Sequence, residues 1–459
     1  MEVKELPPRP SLEQYKKQAK DLVKSKRGLG VKLTLANAQF VIAREHGFES
    51  WPKFAKHIEA LTRESSTASL WESAKNALIA GDVSTLDRLL RENEQVFREQ
   101  RPPSYGSGGL APDYSGGDAR SVIVRNHHFE SWAGFAEYRK ALRRGNSPVA
   151  RFEAAVDAIV AGDVATLERL LRENPELIRA RSTRAHHATL LHYVGSNGVE
   201  DFRQKTPNNV VRIAEILLKA GAEVDAAADM YGGGSTTLGL VATSIHPFTA
   251  GVLEPLIALL LEHGAAVDGP GGRSIVNACL TNGRPKGAEL MAGHGARLDL
   301  EGAAGVGRLD LVRSFFNEDG SAKTNAIRAQ MNNAFAWACQ YGRTGVVDFL
   351  LQRGMQIDAK VPHHGQTGLH WAASNAHLDT VKLLLERQAP VDAKDEAWGS
   401  TPLGWALYGW GHQRSGDARE RYYEVVALLV AAGATVKPEW LADEEVCADP
   451  RMLAALGAD

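Results

Sequence analysis

Apolar side chains recur at helical spacing from the first segment of the chain. Leu12, Tyr15, Ala19, Leu22 and Val23 share one face of a helix, while Lys16, Lys17, Lys20 and Lys24 occupy the other. Ser11 stands at the N-cap position. A second helix is expected from about Leu35 to Glu45, ending at His46-Gly47-Phe48, where Gly47 suits a left-handed C-terminal residue. Ser50 caps a third, with Pro52 in its first turn and Trp51, Phe54 and Ile58 as its apolar side. From Phe152 the pattern shifts to short paired helices. Each strong pair closes on a leucine run, a Gly or its substitute, and an extended exit to Asp: Ile216 to Asp225, Leu259 to Asp268 and Leu383 to Asp392.

The first part of the chain contains a duplication. Val41 to Trp51 recurs as Val122 to Trp132, and Ala80 to Asn93 recurs as Ala161 to Asn174. Phe48 is matched by Phe129 and Gly81 by Gly162, an unbroken offset of 81 residues across both blocks. Each copy is a helical hairpin followed by a degenerate helix pair hinged at its Gly-Asp turn. The repeated Phe-Glu-Ser-Trp could be a docking motif, and the alternative is that its aromatics are the knobs that pack each hairpin on the next. Between the copies, Arg101 to Gly117 holds three prolines and five glycines and is expected to be a long surface loop. Its glycines are not followed by the Lys-Ser or Lys-Thr of a phosphate-binding loop.

Gln366 to Lys394 has the most regular plan: one helix, a tight turn, a second helix and an extended exit. Its opening Thr367-Gly368-Leu369-His370-Trp371-Ala372 is close to the Thr-Pro-Leu-His-x-Ala signature of the ankyrin repeat, whose period is about 33 residues. Thr189-Leu190-Leu191-His192-Tyr193 and Ser235-Thr236-Thr237-Leu238 open similar units, and further ones run through Ser274–Asp299, Gly302–Asn317, Asn332–Asp358 and Ser400–Val436. The chain therefore resembles the ankyrin-repeat family over roughly residues 150–437, departing from the signature at Ser274 and Gly302. The hairpin and its duplicate resemble a helical extension found ahead of ankyrin arrays in bacterial proteins. An all-α solenoid follows, organised as a helical N-terminal region over 1–150, a repeat array over 151–437 and a capping helix over 438–459. One unit has too small an interior to fold alone, so Trp440 to Leu456 is expected to cover the last apolar face.

Composition narrows the functions. The 459 residues are 44% hydrophobic and 24% charged, with a formal net charge of −2. That balance offers no global field for nucleic acid or an anionic membrane. No apolar run is long enough to span a bilayer, and the first ten residues lack the apolar core of a secretory signal. Cys279, Cys339 and Cys447 lie far apart, which fits a reducing cytoplasm and gives neither a disulfide framework nor a structural zinc site.

In the resembled family, partners are held by finger tips and by residues near the end of each inner helix. On this chain those are Ser196 and Asn197, Thr243 and Ser244, Thr281 and Asn282, Gln340 and Tyr341, Ser374 and Asn375, and Tyr408. The row is polar and uncharged, suited to peptide backbone, amides or a sugar-like ligand. Trp337, Trp371 and Trp405 recur every 34 residues and are expected to fill the core between neighbouring helices. Trp398 and Trp410 fall on a finger and a helix end and are candidate exposed anchors. Tyr231 and the pair His363 and His364 join them as finger-surface residues. His127-His128 and His186-His187 lack a metal-ligand partner at suitable spacing, so the histidine pairs point to surface rather than metal. His192 and His370 occupy the signature histidine position, which in the family bonds the finger backbone.

Gly232, Gly233 and Gly234, followed by Ser235 and Thr236, could present backbone N–H groups to an anion or small ligand, and the alternative is a tight turn with a hydroxyl cap. Long turns at Val199–Asn209 and Ile245–Leu253 bring Asp201, Arg203, Lys205 and His246 toward that finger. This is the one place where an enzymatic or small-molecule reading could be built, and it lacks a nucleophile with a base. The sequence supports a non-catalytic, monomeric scaffold that binds a protein partner through its concave groove and fingers, with no cofactor, metal, nucleic acid or membrane.

Overall fold

The computed structural model describes residues 4, 11–28, 34–58, 70, 73, 85, 88, 89, 124, 127–361, 365–412 and 416–458. The chain divides into two compact units, 1–150 and 151–459. Among the described residues β-structure is limited to two isolated bridges, Ala228 with Ser235 and Phe316 with Ala322.

The first unit contains α1 (Leu12–Gly28), α2 (Leu35–Glu45), α3 (51–58) and α4 (Trp132–Arg143). Thr34 caps α2 by accepting from Asn37 N at 3.2 Å, and Gly47 leaves the helix at φ +80°. Tyr15, Ala19, Ala38, Ile42, Phe54 and Ile58 are buried together. The duplicated motif repeats its ring geometry. Phe48 meets Phe54 at 5.3 Å and 63°, and Phe129 meets Phe135 at 5.4 Å and 64°. Trp51 and Trp132 stand 5.6 and 5.5 Å from the same two phenylalanines. Equal spacing in sequence thus becomes equal packing, because the rings that interlock lie within one turn and one helix.

The second unit is a stack of helix pairs. It comprises α5 (Pro148–Ala161) with α6 (Val164–Glu173), a 3₁₀ segment (Leu190–Gly195) with α7 (Val210–Lys219), and α8 (Thr237–Thr243) with α9 (Ile245–Thr249) and α10 (Leu253–Glu262). It continues with α11 (Ile275–Thr281) and α12 (Pro285–Gly293), then α13 (Leu300–Val306) and α14 (Leu309–Ser314). Next come α15 (Asn325–Gln340) and α16 (Thr344–Gln352), α17 (Gly368–Ser374) and α18 (Leu378–Glu386), and α19 (Pro402–His412) with α20 (Asp417–Ala431). Inner helices stack on inner helices from α8 through α11, α13, α15 and α17 to α19, and outer ones from α14 through α16 and α18 to α20. Burial alternates accordingly: within α17, Leu369, Ala372 and Ala373 are inside, and within α18, Val381 and Leu384 are.

Three expectations are corrected. The unit opening at Thr189 has a six-residue 3₁₀ segment where an inner helix was expected; it ends at Ser196, which is left-handed at φ +47° and whose hydroxyl donates to Lys205 O at 2.6 Å. The turn expected from Ile245 begins as α9, capped by Ser244, which accepts from His246 N at 3.3 Å. The expected capping helix is three short ones, α21 (Pro438–Leu441), α22 (Glu444–Cys447) and α23 (Pro450–Ala455). Asp443 and Asp449 cap the second and third and so interrupt a continuous helix. Val446, Met452 and Leu456 still bury against the last repeat.

Candidate partner-binding face

The fingers are fixed by the signature histidines. His192 Nδ1 accepts from Thr189 N at 3.1 Å, and Nε2 reaches Ser235 O in the following finger at 3.2 Å. His370 does the same with Thr367 N at 3.1 Å and Ser400 O at 3.1 Å. Both rings must be neutral for this, since Nδ1 accepts. Burial lowers the His370 pKa and brings that of His192 down to about 4.

The polar row at the inner-helix ends is largely spent on the solenoid itself. Thr243 Oγ1 donates to Gly239 O at 2.7 Å and takes a bond from Asn197 Nδ2 at 3.0 Å. Thr281 bonds Asn277 O, Asn282 bonds Ala278 O, and Asn375 bonds Trp371 O, at 2.8 to 2.9 Å. The Tyr341 hydroxyl donates to Leu280 O on α11, two inner helices back in the stack. Ser196 and Ser244 are buried and therefore do not line a surface: the first is tied to Lys205, the second caps α9. Gln340 and Ser374 are half-buried, and Thr281, Asn282 and Asn375 are exposed.

Aromatic side chains dominate what remains. Trp398 is 68% exposed and Tyr408 65% exposed. Trp371 and Trp405 are half-buried and meet edge to face at 5.4 Å, and Trp398 stands edge-on to Trp405 at 5.8 Å. The finger carrying Trp398 is organised by Asp395, whose carboxylate accepts from Trp398 N at 2.6 Å, Ser400 N at 3.0 Å and Trp405 Nε1 at 3.0 Å. Burial pushes the Asp395 carboxyl up, but these donors outweigh it and hold it below its ordinary value. Trp405, Tyr408 and His412 follow one another at helical spacing, the last two with ring centroids 4.0 Å apart. Trp410 is not an exposed anchor. Helix α19 runs through it to His412, leaving it 2% exposed with the Arg419 guanidinium 4.3 Å from its ring centroid.

The glycine-rich finger reads as backbone. Tyr231, Gly232, Gly233 and Gly234 all have positive φ, between +51° and +93°, which accounts for three consecutive glycines. Gly233 N donates to Met230 O and Ser235 N to Ala228 O, so those amides are occupied within the hairpin and do not await an anion. Ser235 Oγ bonds Met230 O at 2.9 Å, and Thr236 is a buried cap accepting from Gly239 N at 3.3 Å. Tyr231 is exposed, its hydroxyl on Asn197 Oδ1 at 2.6 Å, and His246 is half-buried.

Sequence reasoning missed a buried ionic network at the start of this unit. Glu153, Arg184, His186, Glu200 and Arg203 are all at most 5% exposed. Arg184 and Arg203 both donate to Glu153, Arg184 also pairs with Glu200, and Arg203 Nη2 reaches Asp157 at 2.6 Å. His186 Nε2 lies 3.2 Å from Glu200, so it is a buried partner and not a finger-surface residue; His187 is exposed beside Asp229 at 2.9 Å. Burial would raise the Glu200 carboxyl, but the bond to His186 and the two guanidiniums hold it well below the usual range. The available signal was Glu153 itself, a charge set between the apolar Phe152, Ala155 and Val156 on α5. His363 and His364 lie outside the described residues.

A family model described as "Ankyrin repeats (3 copies)" matches residues 300–395 and 360–439. Residues 300–439 carry ankyrin repeats, and the stacked helix pairs make an all-α ankyrin solenoid. The crystal structure of the human ASB11 ankyrin repeat domain is similar to this chain at 18% identity and a TM-score of 0.31, covering 62% of this chain and 99% of that one. No curated protein matches the chain. No helix among the described residues is long and apolar enough to cross a membrane.

Proposed function

We propose that this protein is a scaffold that binds a protein partner on the face formed by the inner-helix ends and fingers of residues 332–412, with Trp398 and Tyr408 as anchors. The observation that carries it is the exposure of these two side chains. Among the described residues of 300–439 they are the large apolar groups left in solvent, while Trp410, two positions from Tyr408, is buried. Exposed indole and phenol rings on a rigid frame lose little conformational freedom on binding, and Trp and Tyr are enriched among the few interface residues whose truncation costs about 2 kcal/mol or more. The frame is rigid at this point because Asp395 ties the Trp398 backbone to the Trp405 ring.

Affinity capture from host lysate with the intact chain and with a Trp398→Ala, Tyr408→Glu variant tests this. A protein retained by the first and lost by the second supports the reading. Retention by both places the partner elsewhere and overturns it.

A further inference from the structure

Next to that face lies an open cleft of about 510 Å³, between the hairpin closed by Phe316 and Ala322 and the finger that follows α16. Its floor is apolar, with Phe316, Met331 and Met355, and its rim carries Arg328, Arg353 and Lys360. The Arg353 guanidinium sits across the hairpin: a Cβ on Gly320, at φ +86°, would stand 2.9 Å from its Nη1. The guanidinium also covers the Phe349 ring at 4.8 Å, and that of Arg313 approaches the same ring at 5.9 Å.

Among the described residues Arg313, Arg328 and Arg353 form no ion pair with a carboxylate, unlike Arg343 with Glu289 or Arg387 with Asp348 nearby. Asp319 spends its carboxylate on Ser321, N at 2.8 Å and Oγ at 2.6 Å. Asp358 is the one carboxylate lining the cleft. Arg328 and Arg353 line one cleft, where their like charges favour an anion between them, and planar guanidinium donors suit a carboxylate. Lys360 continues the rim toward the tryptophans, its ammonium 3.0 Å from Glu396, two residues before Trp398.

We propose that this cleft takes an acidic segment of the protein partner, placing carboxylate side chains on Arg328 and Arg353 and an adjacent apolar side chain on the Phe316, Met331 and Met355 floor. The inference rests on the partner-binding reading above and adds the chemistry of the partner. The cleft is open and too small for a folded domain, so an extended peptide is the occupant that fits.

The test is selection of a phage-displayed random dodecapeptide library against the full chain. The enriched peptide is then synthesised with a fluorophore and titrated by anisotropy at two salt concentrations. The expected peptide has Asp or Glu beside an apolar residue, binds more weakly at higher salt, and loses about tenfold in affinity to an Arg328→Glu, Arg353→Glu variant. An Arg328→Gln, Arg353→Gln variant, which removes charge without reversing it, should give a smaller loss with an unchanged circular dichroism spectrum. No enrichment, enriched peptides without acidic residues, or affinity indifferent to both arginine variants overturns the inference. A Trp398→Ala variant in the same titration scores the aromatic face separately: a peptide lost there yet indifferent to the arginines leaves that face standing and removes the cleft.

Discussion

Arg184 Nη2 donates to Glu153 Oε2 across 3.1 Å, joining residues 31 positions apart with both side chains out of solvent. With Arg203 and Glu200 the pair forms a balanced set of two carboxylates and two guanidiniums, which binds the turn after the Leu190–Gly195 segment back to α5. Removing one member of such a set leaves a buried charge uncompensated, at a cost of about 3–5 kcal/mol. Glu200→Gln should lower the urea midpoint at pH 7 by a corresponding amount. The folded-state pKa of Glu200 lies below its ordinary 4.5, so its contribution is present above pH 4.5 and fades as pH falls below it. The gap between wild type and variant should therefore hold from pH 7 to 5 and narrow only on further acidification.

The signature histidine predicts a second pH effect. His192 has its pKa lowered by burial from 6.5 to about 4, so between those values the unfolded chain binds the extra proton. Stability is full above pH 6.5 and declines by about 3 kcal/mol as pH falls to 4. In an NMR titration its ring proton signals should stay in the neutral position through pH 5.

Two tryptophans in one repeat should behave oppositely. Trp410→Ala opens a cavity against Leu403, Ala406 and the Arg419 stack and should cost about 3–5 kcal/mol. Trp398→Ala removes an exposed ring and should change stability by about 0.5 kcal/mol or less. Thermal denaturation of the two variants separates the buried from the exposed indole.

Much of the fold was legible because it is local and periodic. The leucine runs and the left-handed Gly47 follow from short spacings, and the hydrogen-bonding role of His192 and His370 is the one that the family resemblance implies. The errors came where contacts are not local. Trp410 does fall in the last turn of α19, which ends at His412, but it lies in the apolar stripe of Leu403 and Ala406 and the Arg419 guanidinium covers it, so it is buried. Ser196 and His186 look like surface residues in sequence, yet Lys205 and Glu200, on the turn that folds over them, bury both. Three glycines suggested a ligand seat, but four consecutive positive φ angles explain them without one. The cleft rimmed by Arg328 and Arg353 joins two units of the stack, and no single repeat displays it.

The central claim is that the partner contacts the aromatic face, and photo-crosslinking tests it most directly. A photoreactive phenylalanine placed at Tyr408 and, in a second preparation, at Lys382 on the exposed side of outer helix α18 gives two otherwise equal probes. After irradiation in host lysate, the account predicts a discrete crosslinked protein from position 408, suppressed by Trp398→Ala, and none from 382. Crosslinks from 382 alone, or from 408 undiminished by the Trp398 change, would contradict it.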